Sequence, residues 1–165
     1  MTAIHAARPT SFDVARPMAQ GRIAEGAWLI NESLPNYPLG SVRNPEVRNR
    51  VADEIGEVLG AALGRADGVP THWRAAHGDL APWNLRTLLN GAVRVIDWED
   101  AGYAPPGVDR LYGALTAHLT FGTPVPDAAP SEAIDWVTRQ IKGWTQSSAE
   151  SVTLLDLLST MPAER

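Results

Sequence analysis

The sequence predicts a mainly α-helical domain with one small β-hairpin, an α+β chain, and three observations lead there. Apolar residues recur at helical spacing over 44–64, an Asn-Gly pair at 90–91 separates two short apolar runs, and further helical patterns follow residue 109. A length of 165 residues suits one domain with its own core.

Residues 1–40 are rich in Pro, Gly and small side chains and form a poorly defined N-terminal segment. A short helix is expected within it over 22–31, carrying Ile23, Trp28, Leu29 and Ile30. Asn31-Glu32-Ser33 matches a glycosylation sequon, but no secretory signal precedes it, and it is read as a chance match. The helical domain is expected over 41–165. Asn44 is placed to cap a helix and Pro45 to open it, with Val47, Val51, Ile55, Val58, Leu59 and Ala62 on one face until Gly64. Gly56, Gly60 and Gly64 lie four apart, a spacing that lets another backbone come close.

The stretch HWRAAHGDLAPWN is too polar and proline-broken for a regular element. Strands are expected at 85–89 and 92–96 around a type I′ turn at Asn90-Gly91. The loop AGYAPPG leads to Asp109, expected to cap a helix from Arg110 towards Leu119, and FGTPVPDAAP is read as a loop. A strong helix should begin near Ser131, with Ile134, Val137, Ile141 and Trp144 on one face, and a weaker one should cover 151–161.

The charge balance excludes several classes of function. Fourteen basic and nineteen acidic side chains leave a net charge of −5, and the arginines are scattered, so no nucleic-acid footprint is expected. There is no cysteine, hence no disulfide and no thiolate metal site. No apolar leader or membrane span is visible, and the expected setting is the cytoplasm, without a membrane partner.

The residues that carry chemistry lie between His77 and Asp109. Phosphoryl transfer to an alcohol needs a carboxylate that orients and deprotonates the hydroxyl, together with an amide oxygen and a second carboxylate to hold magnesium on the nucleotide phosphates. Asp79, Asn84 and Asp97 are of those types and in that order. His77-Gly78-Asp79-Leu80, three residues, then Asn84 reproduces the kinase catalytic-loop spacing with only the arginine replaced, and a hairpin then returns the chain to Asp97.

HGDLAPWN, IDWED, AG and the later PPGVD resemble the aminoglycoside phosphotransferase and choline kinase group, small-molecule relatives of protein kinases. The resemblance implies the C-terminal lobe of a protein-kinase-like fold, with a catalytic loop at 77–84 and a metal-binding loop at 97–102. It also implies ATP and magnesium as cofactors and a small-molecule hydroxyl as acceptor, a cationic amine being compatible with the acidic chain. Carried over by position, Asp79 would be the catalytic base, and Asn84 and Asp97 the magnesium ligands that bind the cofactor. His77 would brace the loop, and Asp109 would tie its helix back to it, although Arg110 interrupts the family's usual Asp-Leu. Glu99 is an expected outer contact with metal or substrate. Trp83 and Trp98 are read as core or loop supports, and His5, His72 and His118 as ordinary residues without partners.

The small N-terminal lobe that such a kinase needs is not visible in the sequence. No Gly-x-Gly-x-x-Gly occurs, and the single lysine, Lys142, follows the motifs, so no lysine upstream of Asp79 can hold the phosphates. The leading expectation is therefore a truncated or lobe-lacking kinase whose missing N-terminal lobe is absent or supplied by a second chain. The alternative is a non-catalytic kinase-fold remnant or binding module. A metal-hydrolase reading of His77, Asp79, Asp97 and Glu99 leaves Asn84 and the hairpin unused.

Overall fold

The computed structural model describes residues 2–24, 26–33, 40–143 and 149–164. The described residues form an α+β arrangement with more β-structure than expected, with five α-helices and eight short strands among them. Helix α1, Thr2–Ala7, and strand β1, Asp13–Val14, precede a hairpin of β2, Pro17–Ile23, and β3, Gly26–Asn31. The helix expected over 22–31 is thus replaced by antiparallel pairing, with Gly21 opposite Trp28 and Ile23 opposite Gly26. The apolar run Trp28-Leu29-Ile30 suits a strand, and Gly21 leaves the space that the Trp28 indole fills, since a Cβ there would lie 2.5 Å from the ring.

Strand β4, Gly40–Ser41, leads into α2, Pro45–Ala62. Asn44 Oδ1 accepts from the Glu46 and Val47 amides at 2.8 and 3.5 Å, and Pro45 occupies the first turn, as its sequence signals require. The helix ends before Gly64. Of the three spaced glycines only Gly56 meets another backbone closely, a Cβ there lying 3.3 Å from the Ala75 carbonyl oxygen; Gly60 and Gly64 face open space.

Strand β5, Arg74–Ala76, runs through the stretch expected to be irregular, and pairs with β8, Gly102–Ala104, in the loop expected to be unpaired. Three residues per strand, joined across 28 positions from Ala75 to Tyr103, leave no local periodicity to read. Strands β6, Leu85–Thr87, and β7, Val93–Val95, form the expected hairpin with Leu85 opposite Val95. Its turn is not type I′. The Leu88 amide donates to Ala92 O at 2.8 Å and the Gly91 amide to Leu88 O at 2.9 Å, enclosing three loop residues of which only Gly91 has positive φ. A four-stranded sheet has the order β1-β7-β6-β4.

Helix α3, Val108–Phe121, starts two residues earlier than expected and is capped by left-handed Gly107, not by Asp109, whose carboxylate is engaged elsewhere. Helices α4, Ser131–Lys142, and α5, Ala149–Thr160, complete the chain, with Ala133, Val137 and Ile141 buried along α4. Trp144 lies outside the described residues.

Two apolar clusters make the core. Val51, Ile55 and Leu59 of α2 pack with Phe12, Val14, Leu80, Leu85 and Val95 in one. Leu111 and Leu115 of α3, Val137 and Ile141 of α4, and Leu154 and Leu158 of α5 pack in the other. Ala75 and Leu80 belong to the first and Ala76 and Ala81 to the second, so the segment around His77–Asp79 crosses the seam between them.

Candidate functional site

The segment that carries Asp79 is gripped from several elements. The Asp109 carboxylate accepts the His77 amide at 2.7 Å on Oδ2 and the Gly78 amide at 3.0 Å on Oδ1. Asp109 is buried, and burial raises its pKa above the ordinary carboxylate value, with the two amide bonds acting against that rise. Gln140 of α4 donates Nε2 to Gly78 O at 2.7 Å. Gly78 adopts φ +88°, and a Cβ there would stand 2.4 Å from Asp100 O, so only glycine lets the loops around 78 and 100 meet.

His77 is fully buried, and both ring nitrogens are occupied. Nε2 lies 3.0 Å from Ile96 O, which can only accept, and Nδ1 receives the Asp79 amide at 3.3 Å; these partners define a neutral ring protonated at Nε2. The ring packs on Trp98 with centroids 4.7 Å apart, and Trp98 donates Nε1 to Val95 O. His77 therefore ties the Asp79 segment to the chain just before Asp97. With no free ring nitrogen it is no metal ligand, and among the described residues no group of three or more His, Cys, Asp or Glu could hold a metal ion. The metal-hydrolase reading loses its histidine.

Asn84 ends a single 3-10 turn, Pro82–Asn84, and is buried. Its Nδ2 donates to both the Asp79 backbone oxygen and Asp79 Oδ2, each at 2.9 Å. Because both partners are acceptors, the amide orientation is determined, and Oδ1 is left as the free acceptor. The Ile96 amide donates to Asn84 O at 3.0 Å, so Asp97 follows directly on a residue paired with Asn84. Asp97 is exposed, has no hydrogen bond or ion pair among the described residues, and takes φ +65°, a conformation that Asp tolerates better than most side chains.

The other residues singled out in the sequence divide. Glu99 and Asp100 lie exposed in a turn, and Trp83 is 40% exposed, so it is no core residue, whereas Trp98 is partly buried against Phe12 and His77. His72 and His118 do have partners: Glu132 at 2.7 Å and Thr123 O at 2.8 Å. The side chain of His5 lies outside those described. Sequence reasoning missed Gln140, Gly113 and Tyr112. The signal for the last two was present in their helical spacing from Asp109, at i+4 and i+3.

A family model described as the phosphotransferase enzyme family matches residues 62–144, half of the chain, and covers β5 through α4 with every residue of the site just described. The chain belongs to that family. No curated protein and no solved structure gives a significant match. Among the described residues no helix is long and apolar enough to cross a membrane.

Proposed function

We propose that this chain carries the acceptor-activating and metal-holding part of an ATP- and magnesium-dependent phosphotransferase that acts on a hydroxyl of a small molecule. The observation that carries the reading is the joint between Asp79 and Asn84. One amide holds both the backbone and the carboxylate of Asp79 and leaves its own oxygen free, while the Asn84 backbone oxygen pairs with Ile96, the residue before Asp97. Asp79 accepts the proton of the acceptor hydroxyl as the oxygen becomes nucleophilic. Asn84 Oδ1 and the Asp97 carboxylate, hard oxygen donors of the kind magnesium takes, would hold the metal. Bound magnesium-ATP supplies the phosphoryl group and neutralises charge on it. His77 and Asp109 brace the loop from behind, and Glu99 is the exposed carboxylate nearest in sequence for an outer contact.

The domain is the C-terminal lobe of a kinase-like fold, active in the cytoplasm. The lobe that covers the phosphates comes from a longer form or a second chain, since the single lysine, Lys142, follows the motifs. The β2–β3 hairpin supports this, because Met18, Ile23, Trp28 and Ile30 are exposed on it, as if further structure packed there. The same missing lysine favours a second reading, a kinase-fold remnant without transfer activity.

Calorimetric titration of the folded chain with ATP, with and without magnesium, separates the two. Saturable binding that depends on magnesium is the expected result. No binding by a folded chain leaves the remnant.

A further inference from the structure

The Asp79 carboxylate is only half provided for. Oδ2 receives the Asn84 amide at 2.9 Å, whereas Oδ1 is buried and has no hydrogen-bond partner among the described residues. A buried carboxylate oxygen without a donor is costly, and such atoms are rare unless they serve a purpose. The group that faces this carboxylate is the hydroxyl of Tyr112. That side chain is buried on α3; burial first, then the charge of Asp79 and contact with it, push the phenol far above its ordinary value.

The surrounding geometry sets Tyr112 beside this segment. Asp109, Tyr112 and Gly113 share one face of α3, at i, i+3 and i+4. Asp109 takes the amides of His77 and Gly78, Tyr112 faces Asp79, and Gly113 leaves room for Leu80 O, from which a Cβ would stand only 2.9 Å. One helix face thus follows four consecutive residues in register. A phenylalanine would fill the same volume, so packing alone does not account for the hydroxyl.

We propose that Tyr112 is a positioning residue for Asp79: its O–H donates to Oδ1 and, with the Asn84 amide on Oδ2, fixes the plane of the carboxylate towards the acceptor. An ionised carboxylate offers about four lone-pair sites, so two remain for the incoming hydroxyl. Asp79 is partly exposed, which leaves that side open. The inference rests on the reading of Asp79 as the base.

The test uses the full chain without nucleotide, so its outcome is separate from that of the phosphotransferase reading, which the ATP titration decides. Denaturant unfolding of wild type, Tyr112→Phe, Asp79→Ala and the double variant gives the coupling. The expected result is non-additivity of about 10-fold in the unfolding equilibrium constant, the two single changes together costing more than the double one. In wild type, the Tyr112 hydroxyl proton should appear in NMR spectra as a slowly exchanging resonance, absent in Tyr112→Phe and displaced in Asp79→Asn. A packing role for the ring would leave that resonance unmoved by Asp79→Asn. Additive effects, or a hydroxyl proton indifferent to Asp79→Asn, overturn the proposal, and the spectrum decides should a variant fail to fold.

Discussion

Asp109 accepts the backbone amides of both His77 and Gly78 through its two carboxylate oxygens, joining the second residue of α3 to a segment more than thirty positions earlier in the chain. Neither amide can turn to water, since both residues are buried. Removing the carboxylate strands two donors, each costing about 1–3 kcal/mol when unsatisfied. Asp109→Ala should therefore destabilise the fold by about 3 kcal/mol, measured by denaturant unfolding.

The same residue gives a pH dependence of defined sign. Burial raises its pKa above the ordinary 3.8, so between that value and the raised one the folded chain binds more protons than the unfolded chain. Its contribution to stability is fully present below the ordinary value and falls as pH rises through that window. Asp109→Asn should remove this slope from a series of unfolding curves, and an unchanged slope would assign it to another group.

Asp109 also shows which parts of the molecule the sequence made legible. Short-range signals were readable: Asn44 and Pro45 opened α2 where expected, and Asn90-Gly91 turned the β6–β7 hairpin. The spacing from His77 to Asn84 identified a segment whose residues do meet in space. What depended on distant partners was not readable. Asp109 looked like a helix cap because its sequence neighbours suit one, and its tie back to the loop was expected from the family resemblance alone; the fold shows both carboxylate oxygens on the His77 and Gly78 amides. Strands β5 and β8 are too short for any pattern, and Trp28-Leu29-Ile30 reads equally as helix or strand until Gly21 is seen beneath the indole. Tyr112 was passed over because a tyrosine in an apolar helix reads as core, although its i+3 spacing from Asp109 places both on one helix face.

Gly78 should tolerate no side chain. Its φ of +88° is one that L residues rarely adopt, and a Cβ would overlap Asp100 O, a backbone atom that cannot rotate away. Gly78→Ala should cost about 3 kcal/mol, lowering Tm by roughly 6–12 °C. Gly60→Ala is the control, because nothing lies within 4 Å of a Cβ there and the site is helical, so a small gain is expected.

Glu54 supplies an acid-sensitive anchor for the N-terminal segment. Its carboxylate accepts from the amides and hydroxyls of Thr10 and Ser11. Burial alone would raise its pKa, yet the four bonds together hold it below the ordinary 4.5. The stabilisation is thus present above that value and disappears as pH falls through the lowered one. Glu54→Gln should lose about 1 kcal/mol at neutral pH and flatten the acid limb of the stability curve, read by unfolding between neutral pH and pH ~2.

Asp97 is held in a backbone conformation that costs stability at a single position. Its φ of +65° costs an L residue about 1–2 kcal/mol relative to ordinary helical geometry, and its exposed carboxylate recovers none of this through a hydrogen bond or ion pair among the described residues. A residue held so is explained if the conformation aims the carboxylate at something not made of protein. Asp97→Gly frees the backbone and should leave the fold at least as stable as wild type, whereas Asp97→Ala keeps the strain and should not gain. Both should abolish magnesium-dependent binding of ATP. Were Asp97→Gly to destabilise the chain by more than about 1 kcal/mol, the aspartate would have a structural partner. Were it to bind magnesium-ATP as wild type does, Asp97 would not be a metal ligand.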